Sequence, residues 1–221
     1  MLLDLHVHSC YSRDGVSPPE EIVKLAAARG VINAVTDHNN CNAWGEFKKA
    51  AKKHGTQVVL GEEIKIIQDG KMAGEVLALF LNEPIEKREF GEVIDAIRGQ
   101  GGIAVAAHPF DWLRKPYFRG FYVLPKVYKK LDAIETFNSR TIFNIFNKKA
   151  RRFAEEKKMP QVCGSDAHTA GEVGNALTEV RADSLEEAMK EIKKGRTALH
   201  CKSAGISVRF YPSMKRAGII K

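Results

Sequence analysis

The chain has 221 residues, 44% hydrophobic and 28% charged, the balance of a folded globular protein rather than a disordered or fibrous one. No apolar run approaches the roughly 20 residues of a membrane helix, and MLLDLHVHSCYS meets Asp and His before a signal-peptide core can form, so membrane insertion and secretion are disfavoured and a cytoplasmic location is expected. Lys and Arg outnumber Asp and Glu by 35 to 27, a formal charge of +8 that favours anionic partners without separating nucleic acid from small phosphates.

In chain order, short apolar runs alternate with amphipathic stretches. Leu2–Val7 reads as a strand. Pro18-Pro19-Glu20-Glu21 then opens a helix to about Ala28, with Ser17 as its cap and Gly30 as its stop. Val31–Thr36 is followed by a helix over Trp44–Lys53, and Gln57–Leu60 and Val76–Leu81 by one over Glu86–Arg98. Ile103–Ala107 and Ala133–Phe137 precede a helix over Arg140–Lys157. Gln161–Cys163 and Ala176–Val180 lead to a helix over Ser184–Lys194, whose Ser184-Leu185-Glu186-Glu187 fits a capping box. Thr197–His200 is the last run. The runs are continuous in Val, Ile and Leu rather than alternating, as in strands covered on both faces. No linker or repeat divides them, so one domain over residues 1–221 is expected, with a parallel α/β architecture. Cys10, Cys41, Cys163 and Cys201 lie far apart with no CxxC spacing, which disfavours a thiolate zinc site or a disulfide framework.

Ionisable residues gather where these runs end. The ends read His6-Val7-His8, Thr36-Asp37-His38, Gly61-Glu62-Glu63, Ala107-His108-Pro109, Ile134-Glu135-Thr136-Phe137-Asn138 and Gly164-Ser165-Asp166-Ala167-His168. An open sheet gathers ligands at one switch point, whereas in a barrel every C-terminal strand end converges on one axis. Six contributing ends favour the barrel. Residues two apart on a strand share a face, so His6 with His8, and Asp166 with His168, can meet a common ion. Nitrogen and oxygen donors without sulfur suit Zn, Mn or Fe. His54, at a helix end, and His200, in a late strand with no partner motif, are expected to lie outside the site.

The ordered set resembles the PHP (polymerase and histidinol phosphatase) family of metal-dependent phosphoesterases. Asp4, His6, His8 and Ser9 stand as in its D-x-H-x-H-S opening, and Ser12-Arg13-Asp14-Gly15 as in S-x-D-G. Thr36-Asp37-His38 matches T-D-H, Gly61 with Glu63 matches G-x-E, Ala107-His108-Pro109 matches A-H-P, and Gly164 to His168 matches G-S-D-x-H. The resemblance covers about residues 2–200. It implies a distorted (β/α)7 TIM-like barrel with two or three divalent ions (Zn, Mn or Fe) at the C-terminal rim. His6, His8, Glu63 and Asp166 would surround one ion; Asp14, His38 and His168 another. A third would use Glu63, His108 and Glu75, which stands where many members carry His. Asp4, one step deeper on the face of His6 and His8, would be structural or steady an imidazole, Asp37 would do the same for a neighbouring strand end, and Glu62 would point away from the site by strand alternation.

Three ions of about +6 against four carboxylates of about −4 leave a net charge of roughly +2, which a phosphate monoester of about −1.5 to −2 neutralises. The expected reaction is hydrolysis of a small phosphorylated metabolite, such as a nucleotide or histidinol phosphate, by a metal-bound hydroxide. Asp166 is the candidate proton acceptor, and Asn138 and Arg140, in a stretch like E-x-F/Y-N-x-R, are the candidate phosphate contacts. The Pro109–Pro125 loop, with Trp112, Arg114, Lys115, Tyr117, Phe118, Arg119 and Tyr122, could close as a lid. One alternative is a nuclease, although the basic residues spread along helices without a nucleic-acid module. The other is a non-catalytic, metal-stabilised interaction domain. The oligomeric state is open.

Overall fold

Each of the nine apolar runs folds as a strand. The computed structural model describes residues 1–113 and 121–205, together with 214, 218 and 219. The strands are β1 (Leu2–Asp4), β2 (Val31–Val35), β3 (Val58–Gln68), β4 (Lys71–Leu79), β5 (Ile103–Ala106), β6 (Ala133–Asn138), β7 (Gln161–Gly164), β8 (Ala176–Glu179) and β9 (Ala198–Cys201). Among the described residues they form one sheet in the order β7-β6-β5-β4-β3-β2-β1-β8-β9. The first seven strands therefore lie side by side in chain order. Beyond the ends of β1 and β7, a parallel bridge joins Val7 to Ala167, with the His8 amide donating to the Ala167 carbonyl at 2.8 Å. That bridge closes the ring at its upper rim. The result is a distorted (β/α)7 TIM-like barrel, with the β8–β9 hairpin hung antiparallel on β1.

The distortion lies in β4. Neighbours β1–β2, β2–β3, β5–β6 and β6–β7 are parallel, but β4 runs antiparallel to both β3 and β5, against the all-parallel expectation. The cause is local. Asp69 and Gly70, both with left-handed φ (51° and 71°), connect β3 directly to β4, and two such residues make the tight turn that matches strand twist. No crossover helix intervenes, so the chain returns downward from the rim.

One buried cluster draws Leu3 from β1 and Leu5 just beyond it, Ala34, Val59, Leu77, Ile103, Ala133 and Val162 from the next six strands, and Ile192 from the helix beneath them. Seven strands meet in one cluster only inside a barrel. The helices are α1 (Pro19–Ala28), α2 (Trp44–Lys53), α3 (Phe90–Gly99), α4 (Leu124–Val127), α5 (Asn144–Lys157) and α6 (Leu185–Lys193). Ile22, Phe47, Val93 and Ile97 from α1 to α3 share a second cluster with Val35, Ile64, Val76 and Ala106 from the strands; burying each large side chain stabilises the fold by about 1.5–3 kcal/mol. Three helix starts differ from expectation. Ser17 does not cap α1; its Oγ accepts from the Ala170 amide at 2.9 Å. α3 and α5 start at Phe90 and Asn144, later than Glu86 and Arg140. Ser184 does cap α6, accepting from the Glu187 amide at 3.1 Å. No helix among the described residues is long and apolar enough to cross a membrane.

Candidate metal centre

The barrel rim gathers the chemistry-bearing side chains. His6 and His8 follow β1, Asp14 lies on the loop beyond, and His38 follows β2. Glu63 lies on β3 and Glu75 on β4, while His108, Asp166 and His168 follow β5 and β7. His6, His8, Glu63, Glu75, His108, Asp166 and His168 are all exposed by 5% or less. Glu75 reaches this rim because β4 descends from it: its neighbour on β3 is Lys65, two residues beyond Glu63.

His6 Nδ1 is engaged by Glu135 Oε1 at 2.9 Å and His8 Nδ1 by Ser12 Oγ at 3.2 Å. The two Nε2 atoms then lie 3.1 Å apart. Glu63 Oε1 is 3.5 Å from His6 Nε2, and Asp166 Oδ1 is 3.5 Å from His6 Nε2 and 3.2 Å from His8 Nε2. A tetrahedral ion with bonds of about 2.1 Å separates its ligand atoms by about 3.4 Å. The contacts of the two imidazole nitrogens with each other and with the carboxylates have about that spacing, and the nitrogen and oxygen chemistry suits a divalent cation. Asp14 Oδ1 lies 3.5 Å from both His38 Nε2 and His168 Nε2, a second set of matching span. His108 Nε2 lies 2.9 Å from Glu63 Oε1 and 3.7 Å from Glu75 Oε2, a third.

The electrostatics agree with a cation site. Burial works to raise Glu63, but His38 and His6 facing it prevail and hold the carboxyl well below the usual range. Burial likewise opposes the ionised form of Asp14, and His168 and His38 overcome it. Burial, reinforced by repulsion from His168 and His38, pushes His8 down to about 3. Against burial, Glu135, Asp166 and Glu63 raise His6, and Glu63 and Asp14 lift His38 to about 10; a metal ion bound there would take the place of those protons, whereas the ionised carboxylates and neutral His8 already have the ligating form. His108 and Asp166 also hold left-handed φ values of 27° and 54°, backbone strain of the kind found at functional sites.

A family model described as the PHP domain matches residues 4–206. The chain belongs to the PHP domain family. An uncharacterized protein of Methanocaldococcus jannaschii is 36% identical over 151 residues, 63% of this PHP chain and 82% of its own length. The 5'-3' exoribonuclease of Haemophilus influenzae is 41% identical over 69 residues, 31% of this chain and 25% of that enzyme. A crystal structure from Bifidobacterium adolescentis, of a protein classed as a metal-dependent phosphoesterase, superposes with a TM-score of 0.66 at 18% identity. It covers 93% of this chain and 97% of its own, and carries the likeness of fold.

Several residues of this PHP domain take parts that sequence reading did not assign. Glu135 stands out: besides His6, it accepts through Oε2 from the His108 amide at 2.6 Å and from Asn138 Nδ2 at 3.2 Å. The available signal was a charged residue two positions from Ala133, on the inward face of a buried strand. Of its two expected parts Asp4 takes the structural one, accepting from the Ser165 and Gly174 amides at 2.9 and 2.7 Å. Asp37 also grips a loop rather than a ring, taking the Ser9 amide and hydroxyl at 2.7 Å each. Glu62 points away as expected, its Oε2 accepting from the Ile85 amide at 3.3 Å.

Asn138 and Arg140 follow the β6 end. The Asn138 Oδ1 accepts from the Arg140 amide at 3.0 Å. Arg140 Nη1 donates to Glu172 Oε1 at 2.6 Å, and Glu172 Oε2 accepts from the His168 amide at 3.1 Å. Arg140 is thus a half-buried rim residue rather than the outer start of α5. Of the expected lid, Arg114, Lys115, Tyr117, Phe118 and Arg119 lie outside the described residues. Trp112 and Tyr122 are exposed, with the Trp112 ring 5.8 Å from Phe146. His54 pairs with Glu20 and His200 with Glu179, both away from the centre.

Proposed function

We propose that the protein is a metal-dependent phosphoesterase that hydrolyses a small phosphorylated metabolite, a nucleotide or a histidinol-phosphate-like monoester. The observation that carries this reading is the meeting of donors from six strand ends, with oxygen and nitrogen atoms 2.8 to 3.7 Å apart. His6, His8, Glu63 and Asp166 would hold one divalent ion, and Asp14, His38 and His168 a second. Glu63, Glu75 and His108 would hold a third. Zn, Mn or Fe bound there would supply an acidified water at neutral pH and charge stabilisation for the phosphoryl oxygens.

The chain's own groups do the rest. Glu135 fixes the His6 ring, so that its Nε2 faces the centre. Asp166, within 3.6 Å of His168 Nδ1 as well as both β1 histidines, accepts at its carboxylate the proton shed by the attacking water. Arg140, held by Glu172, offers its guanidinium to phosphate oxygens, and Asn138 braces the Arg140 backbone while contacting the substrate. Asp166→Asn is expected to abolish turnover; near-normal activity with metal retained would discard the proton-acceptor role.

Metal analysis of the purified protein, coupled to a phosphatase screen over nucleotides, sugar phosphates and histidinol phosphate, tests the whole reading. Stoichiometric metal and hydrolysis lost in a His6→Ala, His8→Ala variant are expected. Failure to hydrolyse any phosphoester when loaded with Mn, Zn or Fe would favour an interaction domain instead. A nuclease is the second reading, supported by the partial likeness to an exoribonuclease and the charge of +8. Cleavage of single-stranded nucleic acid in preference to monoesters, with steeply salt-dependent binding, would select it.

A further inference from the structure

Behind the rim, on the side of β7 turned from the barrel interior, lies a second cluster with its own chemistry. Val162 belongs to the interior cluster, whereas its neighbour Cys163 packs with Phe137 and Ala176, against which Leu199 also rests. The β8–β9 pairing sets Cys201 opposite Ala176 and Leu199 opposite Thr178. The Thr178 hydroxyl lies 3.7 Å from Cys163 Sγ and also binds the Cys163 carbonyl at 3.0 Å. Leu199 and Cys201, two apart on β9, share the face turned to β7. The register thereby brings Cys201 to the layer where Cys163 packs on Ala176 and Leu199. Cys163 is buried and Cys201 exposed, and both are free thiols.

The asymmetry of the pair is that of an attacking and a resolving thiol. The hydrogen bond from Cys163 leads the effects that hold Cys201 down to about 7, with Arg151 and His200 adding to it against burial. The same hydrogen bond, with burial, pushes Cys163 up. An exposed thiol that ionises near neutrality is the one that reacts first.

We propose that Cys201 and Cys163 form a modification site, in which low-molecular-weight disulfides convert the pair reversibly to an internal disulfide between β9 and β7. The Cys201 thiolate attacks one sulfur of the small disulfide, forming a mixed disulfide and releasing one small thiolate. Cys163 then attacks the Cys201 sulfur, and the second small thiol leaves carrying the Cys163 proton. Two protein thiols are oxidised and one small disulfide is reduced to two thiols. Beyond Cys201 the chain is bound to the rim: Ser139 Oγ donates to the Lys202 carbonyl at 2.8 Å, and the Ala204 amide donates to the Ser139 carbonyl at 2.9 Å. Oxidation therefore staples residues 202–204 beside the strand end that carries Asn138 and Arg140.

The experiment treats the full-length reduced protein with oxidised glutathione, alkylates remaining thiols in denaturant and maps the peptides by mass spectrometry. A Cys163–Cys201 linked peptide is expected, with Cys10 and Cys41 alkylated, the linkage reversed by dithiothreitol and the thermal midpoint raised by a few degrees. Cys163→Ala should retain one glutathione on Cys201, whereas Cys201→Ser should leave Cys163 unmodified. If Cys163→Ala does not fold, native-state alkylation of the unsubstituted protein decides. Faster reaction at Cys201 than at exposed Cys10 supports the site, and equal rates overturn it. Linkage of Cys201 to Cys10, glutathione spread equally over Cys10 and Cys201, or a Cys163–Cys201 bond formed only after denaturation would also overturn it.

Discussion

Gly164 has no room for a side chain: a Cβ there would stand 2.4 Å from the His6 Cβ and 3.0 Å from Glu135 Oε1. The contact is with the root of the His6 side chain, which cannot swing aside without moving β1. Gly164→Ala is expected to cost about 1–3 kcal/mol by overpacking and to reduce bound metal. Thermal melts and metal analysis read the two effects, with Gly171→Ala, where the nearest atom is 4.0 Å away, as the silent control. Glu135 acts on the same imidazole from the other side. Glu135→Gln removes the charge that orients His6 Nδ1 and is expected to weaken metal affinity about 10- to 100-fold, with little loss of secondary structure. Titration with Mn or Zn followed by circular dichroism checks both halves; unchanged affinity would demote Glu135 to a packing residue.

At the scale of elements, β4 decides the most. The nine apolar runs were legible because Val, Ile and Leu clusters report burial directly, and all nine became strands. Strand direction was not legible in the same way, since an apolar run reads alike upward or downward. The turn signal was nonetheless present: Asp69-Gly70 between β-forming residues is the sequence of a tight hairpin. Because β4 descends from the rim, Glu75 at its midpoint lies among the ligand candidates. Glu75→Gln is therefore expected to lower metal stoichiometry by one ion without unfolding the protein. Elemental analysis after dialysis against trace metal measures it, and an unaltered stoichiometry would remove Glu75 from the centre. The late start of α5 has a comparable cause: residues 140–143 are held off the helix while Arg140 pairs with Glu172.

At the scale of the molecule, the rim packs four carboxylates and five imidazoles from distant segments into one buried space. Asp14, Glu63, Glu75 and Asp166 repel one another, and His8 is held down to about 3 among its neighbours. Cations that bind the folded centre and not the open chain stabilise it by mass action, by about 4 kcal/mol at 1,000 times the dissociation constant. Chelation by EDTA and dialysis is thus expected to lower the thermal midpoint by several degrees, and re-addition of Mn or Zn to restore it. A midpoint indifferent to chelator would mean that the donors are not joined by metal. The closing bridge from Val7 to Ala167 makes that coupling global, because the first and last ligand-bearing segments seal the ring together.

Residue type and order alone determined that strands and helices alternate, that imidazoles and carboxylates end the strands, and that the ordered motifs resemble the PHP pattern. Those features are local: periodicity, composition and spacing are written within a few residues of each other. Only the tertiary structure decided that Glu135 rather than Asp4 steadies His6, and that Arg140 is anchored by Glu172. Each depends on a partner far along the chain, Glu135 being 129 residues from His6, and such pairings are set by how the closed barrel brings strand ends together in space.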